Sequence, residues 1–108
     1  MNKFEAVVIF SPDLSSNTLE NEIDTFKNFI TSNSGNIVNE EQWGLRDLSY
    51  SIKKFKKAFY NYFQIEIDGN IINKIKSELN QSDNLLRYLF IKVDNHQELP
   101  TKLKNEKI

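Results

Sequence analysis

The chain has 108 residues, a length typical of one domain, and its 14 Lys and Arg against 15 Asp and Glu give a formal net charge of −1. It has no Cys and a single histidine, His96, which excludes disulfides and thiolate metal sites and argues against a histidine-rich zinc centre. No apolar run approaches the roughly 20 residues that cross a bilayer, so we expect a soluble cytoplasmic protein. The near-neutral net charge does not exclude a local basic patch that binds nucleic acid.

The first two predicted elements are a strand and a helix. Residues 3–10 (KFEAVVIF) are rich in β-branched and aromatic side chains and end at a Ser-Pro-Asp turn, which predicts a strand. Apolar residues then recur at helical spacing, at Leu19, Ile23, Phe26 and Ile30. Asn17 followed by Glu20 resembles a capping box at the start of this helix, and Gly35 is predicted to cap its end.

A long hairpin is predicted next. Residues 36–52 predict a strand that is interrupted at Gly44, where the pattern indicates a bulge. Residues 53–57 (KKFKK) predict a basic turn, and residues 58–67 predict the returning strand. That strand alternates apolar residues on its odd side with tyrosine and polar residues on its even side, which is typical of a sheet with two different faces.

A short helix and a last strand complete the pattern. Residues 68–70 (DGN) end the third strand and start a helix whose apolar positions are Ile71, Ile72, Ile75 and Leu79. Residues 85–93 (LLRYLFIKV) predict the final strand, and residues 95–108 predict a flexible C-terminal tail. The order β-α-β-β-α-β favours an α+β fold over residues 1–94, the ferredoxin-like split βαβ. It has a four-stranded antiparallel sheet, both helices on one face, and the first and third strands in the centre.

The face of this sheet opposite the helices is unusually apolar in the sequence. Tyr60 and Tyr62 lie opposite the core side of the third strand, and the first and last strands carry apolar residues on both sides. Strands of that kind are normally covered on both faces. Another protein or stacked nucleobases would cover this face, or it would stay exposed as ordinary apolar surface.

Positive charge is concentrated in the second half of the chain. Residues 46–92 carry nine basic and five acidic groups, whereas residues 1–45 carry two and seven. A cationic strip beside aromatic residues suits a phosphate backbone, although lysines at a turn also serve to keep a sheet edge soluble.

Catalytic patterns are missing from the sequence. It has neither of the common glycine-rich phosphate-binding motifs, and His96 has no evident triad partner. We therefore expect no enzymatic activity, no cofactor, no metal site, no membrane association and no small-molecule substrate.

Four stretches, in order over residues 3 to about 93, resemble the bacterial small-subunit ribosomal protein six family. They are residues 4–9 followed by Pro12, residues 43–52 (WGLRDLSYSI) before a Lys-rich turn, residues 59–60 (FY), and residues 83–88 (DNLLRY). The middle stretch departs from the family pattern at Asp47, which is often basic there, at Ser49 in place of Ala, and at Ser51 where Pro is common.

The resemblance implies a structural protein that binds the central domain of small-subunit ribosomal RNA together with small-subunit ribosomal protein eighteen. The RNA-binding candidates are the basic residues in or near the matching stretches: Lys3, Arg46, Lys53, Lys54, Lys56, Arg87 and Lys92. The partner-binding candidates are Leu45, Leu48, Tyr50, Tyr60 and Tyr62, and Trp43 is either a packing anchor or an interface residue. The alternative is a small regulatory ligand-binding module that dimerises through its sheet, for which we would expect a stable homodimer and a defined pocket.

Overall fold

A computed structural model describes residues 2–96 of the chain. Its elements, in chain order, are β1 Asn2–Phe10, α1 Ser16–Ser32, β2 Asn36–Ile52, β3 Phe55–Ile67, a 3-10 helix Gly69–Ile71, α2 Ile72–Leu79 and β4 Leu85–Val93. The predicted order of strands and helices is confirmed. Residues 97–108, most of the predicted tail, lie outside the described residues.

The four strands form one antiparallel sheet in the order β2-β3-β1-β4. The ferredoxin-like fold is therefore confirmed, with β1 and β3 in the centre and β2 and β4 at the edges. Every residue of β1 from Phe4 to Phe10 is buried, because this strand is flanked by neighbours and covered on both faces. The edge strands β2 and β4 alternate between exposed and partly buried residues over most of their length.

The main core lies between the sheet and the two helices. It is built from alternate residues of the central strands and the apolar sides of both helices: Phe4, Ala6, Val8, Phe10, Phe63, Ile65, Ile67, Ile23, Phe26, Ile30, Ile72, Ile75 and Leu79. The rings of Phe26 and Phe63 join α1 to β3, with their centroids 4.7 Å apart. Both helices thus cover the same face of the sheet, as the fold class requires.

Helix α1 begins earlier than the sequence predicts. Ser15 is the N-cap residue, and its hydroxyl accepts a hydrogen bond from the backbone N–H of Thr18 at 3.2 Å. Asn17 lies inside the first turn, so the predicted capping box of Asn17 and Glu20 is wrong. Ser15 acts as the N-cap residue because its backbone is extended, with φ −67° and ψ 161°, which is the conformation that this position requires.

The end of α1 is also formed differently from the prediction. Ser34 takes the left-handed conformation, with φ 65°, and its N–H bonds to Thr31 O while the N–H of Gly35 bonds to Ile30 O. This is a Schellman ending in which the left-handed residue is Ser34 and not a glycine. Gly35 is needed for close approach, because a Cβ there would lie 2.8 Å from Ile30 Cγ2 and 2.9 Å from Ile67 Cδ1.

The β2–β3 hairpin turns over two residues. Lys53 and Lys54 have φ 50° and 71°, and Ile52 pairs directly with Phe55. The predicted turn over residues 53–57 is therefore too long, because a two-residue hairpin loop with both φ values positive matches the twist of the strands. The bulge predicted at Gly44 is confirmed: Gly44 has φ 77°, and the pairing register shifts between Gln42 and Gly44.

Candidate nucleic-acid interface

The face of the sheet opposite the helices, here called the open face, is organised in rows that cross the strands. Ile9 of β1 pairs with Tyr60 of β3 on one side and with Arg87 of β4 on the other, and Tyr60 pairs with Gly44 of β2. Neighbouring strands lie about 4.8 Å apart, so the Cα atoms of Arg87 and Tyr60 are about 10 Å apart in this row. The register therefore brings residues from all four strands into one row.

The chain covers part of the open face itself. A second hydrophobic cluster lies there, made of Val7, Ile9, Trp43, Ala58, Tyr60 and Tyr62, with Leu48 and Leu86 partly buried against it. The Trp43 ring stacks on Tyr62 and Tyr60, with centroid distances of 5.6 and 6.3 Å and interplanar angles of 11° and 17°. Trp43 is thus a packing anchor, and the chain itself supplies part of the cover that the sequence predicts from another protein or from nucleobases.

This packing changes the set of partner-binding candidates. Tyr62 is fully buried and Tyr60 is 2% exposed, so neither side chain offers area to another protein. The hydroxyl of Tyr62 instead accepts a hydrogen bond from Gln64 Nε2 at 3.2 Å, and Gln64 Oε1 accepts one from Asn39 Nδ2 at 3.0 Å. Both tyrosines pack the sheet, which leaves Leu45, Leu48 and Tyr50 as the partner-binding candidates.

Two arginines converge on the row that contains Tyr60. The Arg46 guanidinium carbon lies 5.2 Å from the centroid of the Trp43 ring, which is a cation–π contact. Arg87 Nη1 donates a hydrogen bond to the hydroxyl oxygen of Tyr50 at 3.2 Å. Within residues 2–96, the ion pairs join Lys27 to Glu40 and Lys57 to Asp47 and include neither arginine.

Tyr60 lies in the electrostatic field of both arginines. Burial raises the pKa of the Tyr60 hydroxyl above 10.0, while the positive charges of Arg46 and Arg87 act in the opposite direction. Both guanidinium charges favour the ionised form of the Tyr60 hydroxyl, although burial outweighs them. We call Arg46, Arg87, Tyr50 and Tyr60 the arginine–tyrosine cluster.

The lysines of the hairpin turn lie near this cluster. Lys53, Lys54 and Lys56 are exposed. Lys53 lines a shallow groove together with Asp83, Arg87 and Tyr88, so the tip of the hairpin reaches the end of β4 that carries Arg87. Five of the seven RNA-binding candidates thus lie in the cluster or on the hairpin beside it.

The other two candidates lie apart from the cluster. Lys3 pairs with Glu66 and Val93, six residues along β1 from Ile9, which is roughly 20 Å at the usual rise of a strand. Lys92 pairs with Phe4, whose side chain belongs to the helix-facing core, so Lys92 lies on the opposite face from Arg87. A single flat ligand on the open face would not reach all seven basic residues.

Exposed apolar residues mark the two edges of the sheet. Leu45 and Tyr50 are exposed, whereas Leu48 is partly buried. The structure adds Leu89 and Ile91, which are exposed and share the open face with Arg87 because they alternate with it along β4. The sequence showed these two residues as apolar, but their exposure depends on β4 being an edge strand.

The described residues also bear on metal and membrane binding. Among residues 2–96, no group of three or more His, Asp or Glu side chains is placed to hold a metal ion. Over the same residues, neither helix combines the length and apolar character needed to cross a membrane.

Comparison with known proteins gives one consistent family. The family model for ribosomal protein S6 matches residues 3–92. The small ribosomal subunit protein bS6 of Rickettsia felis is 36% identical over 107 residues, covering 98% of this chain and 88% of the relative. The bS6 protein of Christiangramia forsetii is 33% identical over 96 residues, covering 89% of this chain and 86% of the relative.

A solved structure shows the same fold. The crystal structure of 30S ribosomal protein S6 from Thermotoga maritima superposes with a TM-score of 0.82. It is 22% identical in sequence, and the match covers 85% of this chain and 87% of that one. At this level of identity the likeness supports the arrangement of strands and helices alone.

Proposed function

Since the chain belongs to the ribosomal protein S6 family, and is thus a protein of the small ribosomal subunit, we propose that it binds the central domain of small-subunit ribosomal RNA together with small-subunit ribosomal protein eighteen. Its role in this proposal is structural and not catalytic, and it acts in the cytoplasm. The observation that carries the RNA-binding part is the arginine–tyrosine cluster, in which Arg46 stacks on Trp43 and Arg87 bonds to Tyr50. Within residues 2–96, neither arginine takes part in an ion pair.

The cluster suits a phosphate group. Arginine presents a planar set of N–H donors that matches two oxygens of a phosphate, and such charge-assisted bonds are about twice as strong as neutral ones. Arg46 is held against Trp43 and Arg87 against Tyr50, so both guanidinium groups are oriented before a ligand arrives. Less conformational entropy is then lost on binding.

The remaining basic residues extend this contact. Lys53, Lys54 and Lys56 lie on the adjacent hairpin, where flexible ammonium groups follow a phosphate backbone as point charges. Lys3 and Lys92, at the far end of the sheet and on different faces, would touch a separate segment of RNA.

The protein partner has the exposed apolar residues to bind. We assign Leu45, Leu48 and Tyr50 to that surface, as the resemblance implies, and add Leu89 and Ile91 from the exposed edge of β4. A chain with a formal net charge of −1 gains RNA affinity if its partner is basic, because counterion release depends on the phosphates that the pair neutralises together.

The test is a salt titration of binding to a central-domain RNA fragment, with and without the partner protein. We expect affinity that falls steeply with salt, by a slope of about −0.9 for each phosphate contact, and that is tightest with the partner. Arg46→Gln and Arg87→Gln should each reduce the slope by about one. The matched control is Lys74→Gln, which removes the same charge from α2 on the other side of the molecule.

Indifference to the RNA fragment in both conditions would contradict the proposal. A rise in melting temperature with a small metabolite, without any response to RNA, would favour the regulatory ligand-binding module instead. Equal binding with and without the partner would support RNA binding by this chain and contradict the proposed joint binding with ribosomal protein eighteen.

A further inference from the structure

Tyr50 differs from the other aromatic residues of the open face. Its side chain is 67% exposed, whereas Trp43, Tyr60 and Tyr62 are buried and stacked on one another. Among residues 2–96, neither an aromatic ring nor a cation lies over the ring of Tyr50. A large aromatic surface therefore faces solvent beside a stack of rings that is already complete.

The position of Tyr50 is fixed by a charged neighbour. Its hydroxyl oxygen accepts a hydrogen bond from Arg87 Nη1 at 3.2 Å. Arg87 lies in the same row as Tyr60, and Arg46, stacked on Trp43, lies on the same open face. The contact holds the hydroxyl end of the Tyr50 ring beside Arg87, on the face of the sheet that also carries Arg46.

We propose that Tyr50 is a stacking platform for one unpaired nucleobase, whose phosphate is held between Arg46 and Arg87. This inference rests on the proposed RNA-binding function and deepens it, because it moves Tyr50 from the protein-binding surface to the RNA site. It also names the form of RNA at that site, a single-stranded or bulged nucleotide. In an RNA duplex the faces of the bases are stacked on each other, whereas an unpaired base can turn outward onto a tyrosine ring.

Charge favours a nucleotide over a protein segment at this position. A protein side chain that covered Tyr50 would also approach Arg87, and through it Arg46, which have no carboxylate partner among residues 2–96. A basic protein partner, the kind that would add to the RNA affinity of the pair, would place like charges together here, which weakens association. A nucleotide supplies both an aromatic face for the ring and a negative charge for the two arginines.

The experiment compares two probes on the full chain without a protein partner. One probe is single-stranded hexauridylate, and the other is a ribose–phosphate backbone of the same length without bases. Stacking predicts that the wild-type chain binds hexauridylate more tightly than the abasic backbone. Tyr50→Leu should weaken hexauridylate binding about ten-fold and leave abasic binding unchanged, since stacking on one aromatic residue contributes a factor of this order.

Two further variants separate the ring from its surroundings. Tyr50→Phe keeps the ring and loses the contact with Arg87, so it should retain hexauridylate affinity within about two-fold. Val38→Ala removes an exposed apolar residue of β2 that belongs to neither proposed binding site, and serves as the matched control, with no expected change for either probe. Because Tyr50 and Val38 are exposed, all three variants should fold, which thermal unfolding checks.

The inference is overturned if wild type binds both probes equally, or if neither probe binds. It is also overturned if Tyr50→Leu leaves hexauridylate binding intact and weakens association with the protein partner in the absence of RNA. Base-dependent binding of hexauridylate without any binding to the central-domain fragment would support the stacking site and contradict the proposed function, so the two failures are distinguishable.

Discussion

Ser34, Lys53 and Lys54 adopt left-handed backbone conformations that glycine or asparagine usually fills. Each such non-glycine residue costs roughly 1 kcal/mol or more of folding free energy. These positions fix the end of α1 and the turn of the β2–β3 hairpin, and the residue types themselves give no sign of it. This is the reason that the helix cap was predicted one residue late, at Gly35, and the hairpin turn too long.

Replacing Ser34 with glycine should stabilise the protein. Glycine adopts φ 65° without the steric cost that a Cβ imposes, and the exposed side chain of Ser34 contributes little packing. We expect the free energy of unfolding in urea to rise by about 0.5 to 1 kcal/mol. The matched control is Ser32→Gly, in the last turn of α1, which should lower stability by a similar amount. A loss of stability in both variants would contradict the assigned helix ending.

Tyr60 should make the stability of the protein sensitive to alkaline pH. Burial holds the pKa of its hydroxyl in the folded protein above the value of 10.0 for an exposed tyrosine, despite the opposing charges of Arg46 and Arg87. The neutral hydroxyl therefore favours the folded state below about pH 10, and this contribution is lost as the pH rises through the higher pKa of the folded protein. Tyr60→Phe should flatten the decline of unfolding free energy above about pH 10. An unchanged decline in the variant would show that Tyr60 is not its source.

At the scale of elements, β2 shows why one bulge matters for the open face. Before the bulge, Asn39 and Glu41 pair opposite the open-face residues Gln64 and Tyr62. Trp43 packs on the same face, and after Gly44 the even residues Arg46 and Leu48 occupy it. Because of the extra residue, odd-numbered residues of β2 from Asn39 to Trp43 face the open side before the bulge and even-numbered residues face it afterwards. Trp43 and Leu48 lie in one cluster although strict alternation would separate them.

The sequence predicts the order of the elements but not how the open face is assembled. The period of the apolar residues gave the order of elements, because it changes between strand and helix at each boundary. The sequence motifs point to Arg46 and Arg87, but the position of both residues on one face around Tyr60 depends on the pairing register of the four strands. The burial of Tyr60 and Tyr62 depends on the stacking of Trp43 over them, and a single sequence shows the place of the bulge at Gly44 but not this contact.

The start of α1 can be tested at the two competing cap positions. Ser15→Ala removes the hydroxyl that accepts the Thr18 N–H, and should lower the free energy of unfolding by about 1 kcal/mol. Asn17→Ala changes the residue that the sequence pattern favoured, but it lies within the helix, where alanine is a good helix former. We expect that variant to be neutral or slightly stabilising in thermal or urea unfolding. A larger loss in Asn17→Ala than in Ser15→Ala would place the cap at Asn17.

At the scale of the whole molecule, opposite charges lie on different parts of the surface. Helix α1 carries Glu20, Glu22 and Asp24, whereas the hairpin carries Lys53, Lys54 and Lys56. A near-neutral protein with charge separated in this way is attracted to a polyanion only in certain orientations. The basic hairpin would then face RNA during approach, with α1 turned away from it.

Charge on the hairpin should therefore govern how fast the protein finds RNA. The double variant Lys53→Gln/Lys54→Gln should slow association with the central-domain fragment several-fold at low salt and leave the dissociation rate nearly unchanged. Lys74→Gln/Lys76→Gln on α2 makes the same change in net charge and should affect association less. Stopped-flow measurements at two salt concentrations distinguish these outcomes. Equal effects of both double variants would show that only the total charge matters.

The central place of β1 has a consequence for the way the protein is made. β1 leaves a translating ribosome well before the two strands with which it must pair, β3 at Phe55–Ile67 and β4 at Leu85–Val93. Its apolar residues stay without their native neighbours through most of synthesis, since contacts between distant parts of a chain form late. We expect nascent chains halted before β4 to be digested readily by proteases, and protection to appear in a single step once β4 has emerged.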